Sequence, residues 1–246
     1  MYVFLYLPIV MLMVLSFNKA GMPTAWTGFS FDWYAKLAHS PKIIAAATNS
    51  LIVAVASTAI ATTLGTMLAL GIARRPPSPI VDALLFAPMI IPDIVLAIAL
   101  LSFFTLLKFT LGLHSIVLAH VVFNIAFVTA VVRARMASYD HALDEASRDL
   151  GADAFTTFRH ITLPLILPSV IAAALLAFTL SIDEFIIAYF TAGAGQSSTT
   201  LPMQIYAMIR FGVTPEINAM ATIVMLVSFV LVFTAQRFNR GRLPGS

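Results

Sequence analysis

Apolar residues run along this chain in long, continuous stretches. They do not alternate with polar ones residue by residue, as the short segments of a membrane barrel would. A helix that crosses a bilayer core about 30 Å thick needs about 20 mostly apolar residues. Six stretches come close: 1–17, 43–72, 80–107, 115–132, 165–190 and 217–235. The pattern therefore predicts an all-α integral membrane protein of six spans. The first stretch is slightly short at about 1.5 Å per residue. That leaves room for a chain beginning upstream, and neither the basic start nor the small-residue cleavage site of a signal peptide is present. The second stops at Ala73-Arg74-Arg75-Pro76-Pro77, and the third is interrupted by Pro88 and Pro92, which should bend it. The sixth is announced by Thr214 as N-cap, Pro215 at the first helical position and Glu216 in the first turn.

Composition narrows the class. Apolar residues make up 60% of the chain and charged ones 10%, against about 45–50% and about 25% in soluble domains. A water-soluble domain and a disordered chain are excluded. A net charge of +3, spread over scattered residues, supplies no clustered surface for nucleic acid. With no cysteine, disulfides, thiolate zinc sites and cysteine nucleophiles are excluded as well. A phosphate-binding loop needs Gly-Lys followed by Ser or Thr, and none of Lys19, Lys36, Lys42 and Lys108 follows a glycine. An intramembrane protease would want a Ser–His pair or paired Asp residues; Ser181 and His120 are present, but their local sequence forms no nucleophile motif. The chain reads as a non-enzyme with no cofactor of its own.

Loop charges set the expected orientation. One side receives Arg74, Arg75, Arg133, Arg135, Arg148, Arg159, Arg237, Arg240 and Arg242; the other receives Lys19, Lys36, Lys42, Lys108 and Arg210. The arginine-rich side should face the cytoplasm, which puts both termini inside. Two external loops follow, about 18–42 and about 192–213. The first holds Trp26, Trp33 and Tyr34, which read either as interfacial anchors or as a docking surface. In the second, Leu201, Ile205, Met208 and Ile209 recur at helical spacing and predict a short helix on the outer surface.

The stretch 133–164 carries the densest charge in the chain. It predicts two short helices: 141–150 with Asp140 as N-cap, then 154–161 with Asp153 as N-cap. Gly151 stands between them where a left-handed residue is wanted. Leu143, Ala146 and Leu150 share one side of the first helix, with side chains small or unbranched enough for another protein surface to approach. Periodicity alone fits an ordinary solvated hairpin equally well. The residue order goes further. Glu145-Ala146-Ser147, three residues, Gly151, nine residues, then Ile161-Thr162-Leu163-Pro164 resembles the loop of ABC importer permeases that reads Glu-Ala-Ala, three residues, Gly, nine residues, Ile-any-Leu-Pro. The single departure is Ser147 for the second Ala. The segment 177–184, Pro92-Asp93-Ile94-Val95, 215–219, Ser16-Phe17-Asn18 and Trp33-Tyr34 are similar to the spermidine/putrescine branch of that family.

The resemblance implies the fold of a type I importer permease: one transmembrane domain over 1–246, with core spans about 43–238. It implies that Leu143, Glu145, Ala146, Ser147, Leu150, Gly151, Ile161, Leu163 and Pro164 form the coupling element that sits in an ATPase subunit. It also implies a second permease subunit, often a different chain, two ATPase subunits that bind ATP and Mg, an extracytoplasmic substrate-binding protein, and a place in the inner membrane.

Asp93, Asp183 and Glu184 interrupt apolar runs. A charge at the bilayer centre costs at least about 2.5–3.5 kcal/mol, so such residues mark a pathway. By helical rise Asp183 lies about 22 Å above Pro168, and Asp93 about 20 Å above Ile80. No Lys or Arg occupies the middle of a span, so a path lined this way favours a cationic solute. On a continuous helix Asp183 and Glu184 point about 100° apart; Thr179 and Asp183 make one polar stripe, and Ser181 and Glu184 another. Pairing of Glu184 with a partner subunit, or a place near the headgroups, competes with a pathway role. Phe178, Phe185, Tyr189 and Phe190 read as packing or as cation–π neighbours. His120 and Asn124, one turn apart, read as interhelical hydrogen-bonding groups. Putrescine, spermidine, another amine and a metal-chelate cation are all open as solutes, and a passive channel is the rival to an ATP-driven permease.

Overall fold

The computed structural model of the chain describes residues 2–19, 26–74, 78–195, 197–210, 212 and 214–240. Among them the helices are, in order, α1 (Tyr2–Leu15), α2 (Asp32–His39), α3 (Pro41–Ala73), α4 (Pro79–Ile90), α5 (Asp93–Leu106), α6 (Leu113–Met136), α7 (Ala142–Asp149), α8 (Ala154–Thr157), α9 (Leu163–Asp183), α10 (Ile186–Thr191), α11 (Leu201–Ile209) and α12 (Pro215–Arg240). A wide π turn, Phe158–Thr162, joins α8 to α9. The Arg75-Pro76-Pro77 stop lies outside the described residues.

The core is built on α3, α6 and α9, whose facing residues are small. Gly65 of α3 lies so close to α6 that a Cβ there would meet Val128 at 2.8 Å. Across the same seam the Thr129 hydroxyl donates to the Gly65 carbonyl at 3.2 Å. Without a hydrophobic drive between helices in lipid, such close backbone approach is what holds membrane helices together. Ala69, Val128, Val132, Ile166, Ala173 and Ala177 continue this packing as one buried cluster.

The six-span expectation is met in part. Three described helices are long and apolar enough to cross a membrane: α3, α6, and the rod 154–183 that runs from α8 through α9. The third expected span is not one bent helix but two. α4 and α5 meet at 107°. Ile91 is extended (φ −69°, ψ 134°), as a residue before proline must be, and Pro92 has no N–H to carry the ladder across. The fifth expected span is also broken: α9 stops at Asp183 and α10 starts at Ile186. Asp183 and Glu184 therefore do not sit on one continuous helix, and the 100° argument fails for them. The apolar helical stretches described in α1 and α12 are shorter, Phe4–Leu15 and Pro215–Val230.

The two loops expected on the outer side form a cap. Leu201, Ile205 and Met208 of α11, with Trp33 and Tyr34, pack on Leu37, Ala219 and Met220. Trp33 donates its indole N–H to the Asn18 carbonyl at 2.8 Å, and the Tyr34 and Ser16 hydroxyls lie 2.6 Å apart. These two aromatics thus tie the cap together, while Trp26 is exposed.

Candidate functional site: a helical elbow and a carboxylate-bearing helix break

The elbow between α6 and α9 is built by local rules. Asp140 accepts from the Ala142 N–H at 3.0 Å, so it turns the chain into α7 two residues ahead; the helix itself begins at Ala142, one residue later than expected. At the other end Gly151 adopts φ +91°. Its N–H donates to the Arg148 carbonyl at 2.8 Å, and that of Ala152 to the Ser147 carbonyl at 3.1 Å. This pair of bonds is the Schellman stop, and it needs a left-handed residue at Gly151. Asp153 then caps α8, accepting from the Thr156 N–H at 2.7 Å. The Thr156 hydroxyl and backbone N–H hold the Asp153 carboxyl below its ordinary range.

Side chains divide the elbow into an inner and an outer face. Asp144 is buried and accepts from the Tyr139 hydroxyl at 2.6 Å and from the Thr162 hydroxyl at 3.0 Å. One carboxylate thereby pins α7 to the end of α6 and to the foot of α9. Burial, with the Asp144 carboxylate beside it, pushes the Tyr139 phenol up. Ser147 points inward too: its hydroxyl lies 3.1 Å from that of Thr157. Outward, Leu143 is 44% exposed, Leu150 90% and Phe155 67%, and Glu145 and Ala146 are exposed between them. Leu143, Ala146 and Leu150 thus open to the outside together. Asp144, Tyr139, Thr162 and Phe155 escaped the sequence reading. Tyr139–Asp144 and Asp144–Thr162 are tertiary pairs with no spacing signature.

The second helix does not stop at Ile161, as expected, but runs on through Pro164 into α9. Pro164 has no N–H, and its ring would clash with the carbonyl of His160 in a regular helix. The π turn at Phe158–Thr162 widens the ladder at that point and lets the rod continue. Ile161 is half-buried there, Leu163 packs against the core, and Pro164 is exposed.

At the far end of α9, Asp183 is the last helical residue and is exposed. The last carbonyls of a helix have no intrahelical partner and carry the negative end of its dipole. Another negative charge there is unfavourable unless a cation joins it. Thr179, one turn back on the same face, donates to the Leu175 carbonyl at 2.9 Å. Asp93 stands at the opposite kind of position, in the first turn of α5, exposed, at the dipole-positive start of a helix. Glu184 departs from both: its two oxygens accept from the Ile187 and Ala188 N–H groups at 2.8 and 2.9 Å. Asp183 and Thr179 are brought together; Glu184, next to Asp183 in the chain, faces the opening turn of α10. Among the described residues no group of three His, Asp or Glu could hold a metal.

Residues 61–243 match the family described as binding-protein-dependent transport system inner membrane component. The spermidine/putrescine transport system permease protein PotC of Escherichia coli (strain K12) is 40% identical over 247 residues, covering 100% of this chain and 93% of that protein. The putrescine transport system permease protein PotI of the same strain is 36% identical over 255 residues, covering 98% and 90%. Among solved structures, a chain of a bacterial ABC transporter that imports the acidic polysaccharide alginate superposes with a TM-score of 0.77 at 18% identity, covering 98% of this chain and 91% of that one. An amino acid ABC transporter gives 0.65 at 17%, covering 86% and 99%. At such identities the structures show the shared fold alone. Joined to the elbow and the apolar helices, the family match and the full-length relatives make this chain a member of the binding-protein-dependent transport system inner membrane components, a multi-pass permease subunit of an ABC importer and not a catalytic enzyme.

Proposed function

We propose that this permease passes a small organic cation of the polyamine class, putrescine or spermidine, through a path that includes Asp183, Thr179 and Asp93. The observation that carries this is Asp183, an exposed carboxylate on the negative end of α9, with no Lys or Arg in the middle of any described apolar helix. An alkylammonium group supplies the missing charge there. The alginate importer has the same fold around an acidic cargo, so the sign of the solute's charge follows from the side chains and not from the architecture. The relatives named for spermidine and putrescine agree with that sign.

In this reading the chain forms one transmembrane domain of six spans with both termini in the cytoplasm. It pairs with a second permease and receives solute from an extracytoplasmic binding protein. ATP and Mg belong to two partner ATPase subunits. The outward face Leu143–Ala146–Leu150, with Glu145, sits in an ATPase groove. Closure of the ATPase pair moves α7, and the rod 154–183 carries that motion to the end that bears Asp183.

Uptake by the complete importer in proteoliposomes tests the solute site. Asp183→Asn should raise the KM for putrescine at least about tenfold, the scale of one charged hydrogen bond, with complex yield unchanged. Wild-type kinetics would remove Asp183 from the path.

A further inference from the structure

Glu184 lies beside the carboxylate assigned above to the solute, yet its surroundings differ. Its side chain is 11% exposed. Both carboxylate oxygens are occupied by N–H groups in the first turn of α10, those of Ile187 and Ala188, at 2.8 and 2.9 Å. One of them, Oε2, also lies 3.5 Å from Nε2 of His120, a side chain 1% exposed on α6. The other ring nitrogen, Nδ1, is 2.7 Å from the Ser181 hydroxyl of α9. That hydroxyl is 3.1 Å from the Ser57 hydroxyl of α3. His120 thus makes its hydrogen bond to Ser181 through Nδ1, while Nε2 stands in close polar contact with the carboxylate without a hydrogen bond to it. A single buried chain of polar groups therefore joins α3, α6, α9 and α10 across the place where the fifth expected span is broken.

Such a break leaves backbone groups without partners, and in an apolar surrounding each orphan is costly. Glu184 removes that cost for Ile187 and Ala188 of α10. His120, wedged between Glu184 and Ser181, faces both sides of the break at once and so holds the angle at which α9 ends. Asp183 is the residue whose direction that angle sets.

We propose that Glu184 and His120 are a positioning pair for transport: they hold the break between α9 and α10 and aim Asp183, and Glu184 does not itself bind solute. The proposal rests on the reading that Asp183 meets the cation. It makes the two adjacent acids unequal, one for the solute and one for the backbone.

The test is putrescine uptake by the complete importer in proteoliposomes, comparing Asp183→Asn, Glu184→Gln, Glu184→Ala, His120→Leu and the double variant Glu184→Ala/His120→Leu. ATP hydrolysis stimulated by the binding protein reports that each complex is assembled. Glu184→Gln keeps one of the two acceptor oxygens for the α10 N–H groups and loses the other with the charge, so its KM should rise less than that of Glu184→Ala and stay within about threefold of wild type. Glu184→Ala and His120→Leu should each raise KM by about fivefold or more. Their double variant should be no worse than the poorer single one, because both act through one network. If Glu184→Gln raises KM as much as Asp183→Asn, or if the Glu184→Ala and His120→Leu effects multiply, the positioning role is overturned. If Asp183→Asn leaves KM unchanged, the solute assignment itself fails, an outcome read from a different variant.

Discussion

Ser147 is the one residue of the elbow that departs from the family pattern, and it is turned inward. The hydroxyl turns to Thr157 and away from the outward face. Ser147→Ala should remove about 0.5–1.5 kcal/mol of stability and leave coupled uptake intact; a lost uptake would mean that the hydroxyl reaches a partner. Asp144 is the more consequential neighbour. Asp144→Ala leaves the buried Tyr139 and Thr162 hydroxyls without their acceptor. A loss of about 1–3 kcal/mol should show as a lower melting temperature of the purified complex. Asp153 makes a pH-dependent contribution. Its folded carboxyl titrates below its unfolded value, so the cap is fully present above the ordinary carboxylate range near pH 3.9 and is lost as pH falls through the depressed value. Hydrogen–deuterium exchange over residues 154–157, corrected for intrinsic rates, should quicken only in that acid window.

Among the elements, the elbow and the rod do separate jobs. Gly151 is needed for its backbone and not for space: a Cβ there meets nothing within 4 Å, yet φ is +91°. Gly151→Ala should cost roughly 1–2 kcal/mol and loosen α7 from α8, read as fewer solute molecules moved per ATP at normal assembly. Pro164 acts through the π turn. Pro164→Ala restores a donor and lets a regular helix run through residues 158–162. That rotates the elbow relative to α9, so uncoupled ATP hydrolysis with a well-folded complex is the expected result. Unchanged coupling would show that the π turn is a mere accommodation of the proline.

The whole molecule is open. Its accessible surface is 15017 Å², against about 10,700 Å² for a compact soluble monomer of this mass. Many large apolar side chains on the helix faces, among them Leu84, Ile90 and Leu106, are exposed, where lipid and a second permease are expected to cover them. At the elbow the exposed apolar side chains are Leu143, Leu150 and Phe155, the ones the proposed ATPase contact would cover. Leu150→Asp should abolish retention of the ATPase subunits in a pull-down from solubilised membranes while the permease still inserts.

Two kinds of information separate along this chain. Whatever depends on neighbours within a few residues was readable from the order of amino acids: apolar runs long enough for helices, Asp153 as a cap, Gly151 as a helix stop, Pro215 as a helix start, and an elbow whose Leu143, Ala146 and Leu150 share a side. Propensity, capping and spacing act over one or two turns, so they leave a mark in the sequence. The two breaks were half legible, since Pro88 and Pro92 announced the bend between α4 and α5, whereas Glu184-Phe185 carries no proline or glycine to announce the end of α9. The fold alone settled which acid is spent on backbone and which is left open. It also settled that Asp144 is the buried clamp while Glu145 is exposed, and that His120 reaches across to Ser181 and Glu184. Those outcomes depend on side chains distant in sequence arriving at one low-dielectric place, where an unpaired polar group is too costly to leave.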